Sequence, residues 1–295
     1  MPVHLFPLLF AVAAVSGWID AVAGSGGLLQ LPALLLLGGA VPVPSLLGTN
    51  KLPATIAKVF AAVTYARRYP IDRAVAIRGG LVAAAGSAVG ALFALGLSTA
   101  FLRPVILTAL AAVAVFILVR PGFGTASAAP RQPTQNATSH AKRRRITALT
   151  LLGAAGLGCY DGMVGPGTGT FLIVLFTTLL DLEFVQALST VTWINVGTNL
   201  GALVMFAALG HVLWILGLGM ALSSVAGAVI GARMTLKRGS KFVRVVLLIV
   251  VICTALRLAA DQLGWKIGLG MPQSPSPWLA CSPERIRRTL APTCL

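Results

Sequence analysis

Asp20, Lys51, Lys58 and Asp161 all lie inside long apolar runs, where an ionised group needs a reason to be. At mid-bilayer such a charge costs about 2.5–3.5 kcal/mol on insertion scales. Each aspartate stands four residues ahead of a glycine, Gly24 or Gly165. A carboxylate there can exchange a proton with a transported species, or it can cap and brace a broken helix. Lys51 and Lys58 are seven residues apart, so one helix face carries both. A lysine in an apolar helix can meet an anion in a wet interior, or snorkel to the interface if it lies near a helix end.

The glycines beside the aspartates supply the second kind of chemistry. Gly24-Ser25-Gly26-Gly27 and Gly165-Pro166-Gly167-Thr168-Gly169 let the backbone leave helical geometry. Helices that restart near Gly27 and Gly169 present free N–H groups and a positive dipole end, a ready anion site. Close helix packing through small residues is the other reading. Neither cluster is a nucleotide loop, because no strand precedes it and no Gly-Lys-Ser/Thr follows. Thr49, Asn50, Ser189 and Thr190 are candidate hydroxyl and amide ligands, or interhelical hydrogen-bond partners. Trp193, Asn195, Thr198 and Asn199 make a further helix polar along its length, as a wet interior requires.

These groups recur at one offset. Asp20 pairs with Asp161, Gly24 with Gly165 and Thr49 with Thr190; each difference is 141. Gly86/Gly227, Gly90/Gly231, Phe101/Phe242 and Arg103/Arg244 keep it. The chain therefore reads as a duplicated unit. The first copy, 1–119, holds apolar segments at about 5–22, 27–37, 46–66, 74–97 and 101–119. The second, 146–264, holds them at about 146–163, 169–180, 184–209, 212–234 and 242–263. A polar linker, 120–145, ends in Lys142–Arg145, and the tail 265–295 is proline-rich and reads as disordered. The spacing of Gly86/Gly90 and Gly227/Gly231 predicts close helix contacts. Segments 27–37 and 169–180 are short for a full crossing, so they span or re-enter.

With 57% hydrophobic and 10% charged residues, the chain is too apolar for a soluble domain. Alternating ten-residue strands are absent from the sequence, which argues against a barrel. The expected fold is an all-α integral membrane protein of two inverted repeats, about five hydrophobic segments each, with glycine-broken or re-entrant helices. The run 5–15 has no basic flank and a match in the second copy, which opposes a cleaved leader. The net charge of +16 sits in short loops and implies topology, not nucleic acid. Five crossings per half put Arg67–Arg78, the linker and Arg233–Arg244 on one face, the cytoplasmic one; four per half would not. The expected place is the cell membrane. Four scattered cysteines and three isolated histidines offer no metal spacing and no cofactor site. A membrane-embedded enzyme would need a catalytic constellation that the chain lacks.

At Ile19-Asp20-Ala21-Val22-Ala23-Gly24-Ser25-Gly26-Gly27-Leu28, Leu31-Pro32-Ala33-Leu34 and Leu47-Gly48-Thr49-Asn50-Lys51-Leu52, the chain resembles the sulfite exporter family TauE/SafE. The likeness runs over about 6–263 and includes Tyr65, Arg67 and the paired glycines. Ser25 departs from it, as do Ser189-Thr190-Val191-Thr192 and Ile173 in the second copy. The resemblance implies a polytopic permease exporting sulfite or a sulfonated organic anion. The function expected is secondary transport of a small anion, with proton coupling through Asp20 or Asp161. The alternative is an anion channel, or a transporter of unrelated small carboxylates. Candidate substrate ligands are Gly24, Gly26, Gly27, Thr49, Asn50, Lys51, Gly165, Gly167, Thr168 and Thr190. The other partner is the lipid bilayer; oligomeric state is left open.

Overall fold

Breaks in the helices, more than the helices themselves, set the architecture. The computed structural model describes residues 5–39, 41–69, 71, 73–97, 108, 140–180 and 184–262, with side chains only in part over 140–146, 178–184 and from 240 on. Met1–Leu256 form one compact unit, which holds the whole of the site, and Arg257–Leu295 form a second. Eight helices run through the described residues, which contain no strand. They are α1 (Phe6–Ala23), α2 (Gly27–Leu37), α3 (Val43–Ala66), α4 (Arg73–Gly96), α5 (His140–Met163), α6 (Thr168–Leu180), α7 (Phe184–Ala208) and α8 (Trp214–Gln262).

Local sequence accounts for the ends. α1 and α3 open with a proline in the first turn, where its missing N–H is no loss. α1 stops because Gly24 takes a left-handed conformation (φ 69°) and returns its N–H to the Asp20 carbonyl at 2.8 Å. Gly165 and Gly167 also have positive φ, 94° and 80°, between α5 and α6. α2 has 11 residues and α6 has 13. At 1.5 Å per residue they reach about 16–20 Å, well short of a bilayer core of about 30 Å. α1, α4, α7 and the first part of α8 are long and apolar enough to cross a membrane. α3 is as long as α4, but Thr49, Asn50, Lys51 and Lys58 interrupt its apolar surface.

The helix starts follow the offset seen in the sequence: 168 − 27, 184 − 43 and 214 − 73 are all 141. The packing is reciprocal as well. Gly86 and Gly90 on α4 lie against the carbonyls of Ala155 and Cys159 on α5. Gly227 and Gly231 on α8 lie against those of Ala14 and Trp18 on α1. The last two partners are the first two minus 141. A Cβ at any of these glycines would meet backbone, which is why the spacing of small residues is needed. Large apolar side chains such as Ile215, Leu222 and Leu81 point outward, while Lys51, Asn195 and Asp161 are buried. That inside-out distribution suits a lipid surround.

Several boundaries differ from the sequence reading. α5 begins at His140, so Lys142–Arg145 is the start of a helix and not linker. Basic side chains are compatible with helix, and no Gly or Pro separates them from the apolar run. Segments 212–234 and 242–263 are joined in α8 through a break at Gly239 (φ 70°, ψ −165°). α6 starts at Thr168, one residue before the expected restart. Segment 101–119 (apart from residue 108), the linker 120–139, the loop 181–183 and the tail 265–295 lie outside the described residues.

Candidate functional site

The two breaks meet each other. Gly169, at the start of α6, packs on the backbone of Gly24, at the end of α1. Thr170 Oγ1 donates to the Ala23 carbonyl at 3.0 Å, and Gly27 faces Pro166. Only residues without a Cβ let the chains cross so closely. Ser16 Oγ donates to the Gly26 carbonyl (2.6 Å), Tyr65 to that of Ala21 (2.7 Å) and Tyr160 to that of Pro166 (2.8 Å). The irregular backbone is thus held by side chains from three helices, as buried polar groups require.

Asp20, Lys58, Lys51 and Asp161 sit at this crossing, in pairs. Lys58 donates to Asp20 Oδ2, and Asp20 Oδ1 accepts the Gly26 N–H at 3.0 Å. The carboxylate therefore caps the start of α2 while holding a lysine from α3. Lys51 Nζ donates to Asp161 Oδ2 at 2.9 Å and to the Asp161 carbonyl at 2.6 Å. The first pair lies within one half of the chain; the second joins α3 of one half to α5 of the other. Side chains of Lys51 and Asp161 are 3% and 4% exposed, against 8% and 10% for Lys58 and Asp20. Buried charges persist only when paired, and here two cations meet two anions. The cluster is neutral as a whole.

A cavity of about 30 Å³ opens beside these pairs, room for about two waters. From the first half, Asp20, Gly24, Gly26, Gly27, Asn50 and Lys51 line it. From the second come Asp161, Gly165, Gly167 and Thr168. Ten of the twelve candidate residues therefore converge on one space. Thr49 and Thr190 do not line it. Thr49 Oγ1 donates to the Ser45 carbonyl (2.6 Å) and accepts the Leu213 N–H (3.0 Å). Thr190 Oγ1 donates to the Gln186 carbonyl at 3.2 Å. Both bond helix backbone, as hydroxyls in apolar helices commonly do.

Other lining groups were not singled out as ligands. Gln30 on α2 is 3% exposed, and its Nε2 has no hydrogen-bond partner; Asn50 Oδ1 also lacks one. The signal for Gln30 was present, since it is the only polar side chain in 27–37. Lys58, Asn195 and Asn199 line the space too. Thr198 Oγ1 and Asn199 Nδ2 both donate to Asn195 Oδ1 at 2.9 Å, a network closed within α7. A smaller cavity of about 10 Å³ shares Asp20, Lys58 and Asn195 and continues toward Thr192, Ile173 and Leu188. No group of His, Cys, Asp or Glu among the described residues is placed to hold a metal ion.

The family model for the sulfite exporter TauE/SafE matches residues 9–258. A probable membrane transporter protein, ORF9, from a Sinorhizobium species is 34% identical over 260 residues, 88% of this chain and 94% of that protein. One from Haemophilus influenzae is 30% identical over 269 residues, covering 89% and 97%. The probable membrane transporter protein YfcA of Escherichia coli K12 is 29% identical over 265 residues, covering 89% and 93%. No solved structure matches the chain. The chain belongs to the TauE/SafE family and is a multi-pass membrane transporter.

Proposed function

We propose that this member of the sulfite exporter TauE/SafE family carries a small oxyanion, such as sulfite or an organosulfonate, together with a proton taken up by Asp161. The observation that supports this most is the Lys51–Asp161 pair, buried on the wall of the cavity and joining the two halves. Lys51 is already spent on a carboxylate. An anion reaching it competes with that carboxylate, and the added negative charge is costly in a buried site. A proton on Asp161 removes the competition. Lys51 then turns to the anion, and the cluster stays neutral with one proton and one negative charge added.

The start of α6 adds its positive dipole end beside Gly167 and Thr168, and Gly26 and Gly27 do the same for α2. Asp20 has the other role its type allows. Bound by the Gly26 N–H and by Lys58, it caps α2 and fixes the break. The cavity is smaller than a sulfonate needs, so the helices part to admit one. The equivalent starts and reciprocal glycine contacts support two inverted repeats, 1–119 and 146–264, rocking about the crossing. In this reading the chain lies in the cell membrane with its basic loops in the cytoplasm. Net export follows when the outward gradient of the anion exceeds the inward pull on the proton.

Labelled sulfite flux in proteoliposomes, with and without a pH gradient, tests the reading. Saturable flux that responds to the gradient is expected. No flux from protein shown to be folded and inserted would overturn it.

A further inference from the structure

Two neutral amides in the cavity each carry one atom with nothing to bond. Gln30 Nε2 on α2 and Asn50 Oδ1 on α3 are buried, 97% and 92% by residue, and neither atom has a partner. Buried polar groups in native proteins are almost always satisfied, because leaving one bare costs about 1–3 kcal/mol. Both residues line the same 30 Å³ space as the starts of α2 and α6.

We propose that Gln30 and Asn50 are the hydrogen-bonding partners of the substrate, and that the site takes a singly charged oxyanion in preference to a doubly charged one. This rests on the reading of the site as an anion carrier. Gln30 supplies an N–H to an anion oxygen beside the start of α2. Asn50, whose amide can turn either way, supplies the second contact. Directional donors favour an oxyanion, with its several acceptor atoms, over a halide.

Charge selection follows from the ion pairs. The lining cations among the described residues, Lys51 and Lys58, are each matched by an aspartate. The site therefore has no spare positive charge, and a single proton on Asp161 frees only one. The desolvation cost of an ion grows with the square of its charge, whereas neutral hydrogen bonds strengthen less steeply. A monoanion with one proton leaves the cluster neutral; a dianion leaves it negative and buried.

The test uses the full chain in proteoliposomes, with methanesulfonate, sulfate and chloride as probes. Methanesulfonate is expected to exchange saturably, with sulfate and chloride at least tenfold slower. Gln30→Leu is expected to raise KM for methanesulfonate roughly tenfold, the size of one lost hydrogen bond to a charged ligand. It should leave kcat nearly unchanged and leave Tm equal or higher, because a buried N–H without a partner costs the fold its desolvation. Gln30→Asn should recover part of the affinity. An unchanged KM in Gln30→Leu, in protein of normal Tm, would overturn the amide assignment while leaving the carrier in place. Sulfate moving as fast as methanesulfonate would overturn the charge selection. Sulfite flux with no methanesulfonate flux would overturn the substrate class proposed here. Absence of flux for every probe, sulfite included, would take the carrier reading down with it.

Discussion

α3 and α7 occupy equivalent places in the two halves, yet they treat polarity in opposite ways. Lys51 and Lys58 on α3 correspond, by the offset of 141, to Thr192 and Asn199 on α7. Most polar side chains of α7 bond within their own helix, and two, Ser189 Oγ and Trp193 Nε1, are buried without a partner. Asn199 and Thr198 donate to Asn195, and Thr192 Oγ1 donates to the Leu188 carbonyl at 2.6 Å. Amides and hydroxyls at such spacings can close their bonds inside one helix. An ammonium group in lipid cannot, and must find a carboxylate on another element. Each half kept its aspartate, but one half holds both lysines. Lys58 therefore turns to its own half, and Lys51 crosses to the other. Among the described residues, one ion pair therefore ties the halves together, and it is the pair that the proposed carrier cycle would make and break.

The frame itself is the first thing to challenge. Gly86→Val and Gly227→Val should be equally damaging, each forcing a side chain into the carbonyl of its partner helix. Overpacking at backbone costs roughly 3 kcal/mol or more, enough to lose folded protein in size-exclusion of the purified chain. One variant behaving normally would break the equivalence of the two halves.

The cation on α3 comes next. Lys51→Met leaves Asp161 buried without its partner and should cost about 3–5 kcal/mol in thermal unfolding. The double variant with Asp161→Asn should recover most of that loss, yet remain without anion flux. Recovery of flux in the double variant would separate the pair from transport.

Asp20→Asn sharpens the contrast between the two pairs. Asparagine still accepts the Gly26 N–H but leaves Lys58 buried without its carboxylate, so the expected loss is about 3 kcal/mol. Flux should fall but still respond to a pH gradient, while Asp161→Asn should lose that response. A reversed outcome would hand the coupling role to Asp20. The smallest effect is expected at Thr192→Ala, about 1 kcal/mol with normal flux, because its hydroxyl serves only the α7 backbone. A loss of flux there as large as in Lys51→Met would show that α7 carries substrate after all.

Much of this was legible in the chain. Asp20, Lys51, Lys58 and Asp161 stood out because charge inside an apolar run is rare, and that rarity is a local property. The glycine breaks were equally visible, and Gly27–Leu37 and the starts of α3 and α4 fell within three residues of the expected places. Misplaced starts had local causes too. Basic residues can be helical, so composition could not tell Lys142–Arg145 from linker. Thr49 and Thr190 lie off the cavity and bond helix backbone, a placement that the sequence could not show because a hydroxyl serves a ligand or its own helix equally well.

By itself, the sequence determined the membrane class, the repeat at 141 and the places where helices stop. These depend on runs, composition and backbone freedom, all read from neighbouring residues. Tertiary structure alone decided the pairing. Lys51 and Asp161 are 110 residues apart, and nothing in either segment says which aspartate a lysine will choose. That choice comes from the crossing of the two breaks, where the Gly24–Gly169 contact brings α1, α3, α5 and α6 to one point. It also left Gln30 facing a cavity and not a leucine, because a short helix that starts at a break presents its first turn to whatever the other half places there.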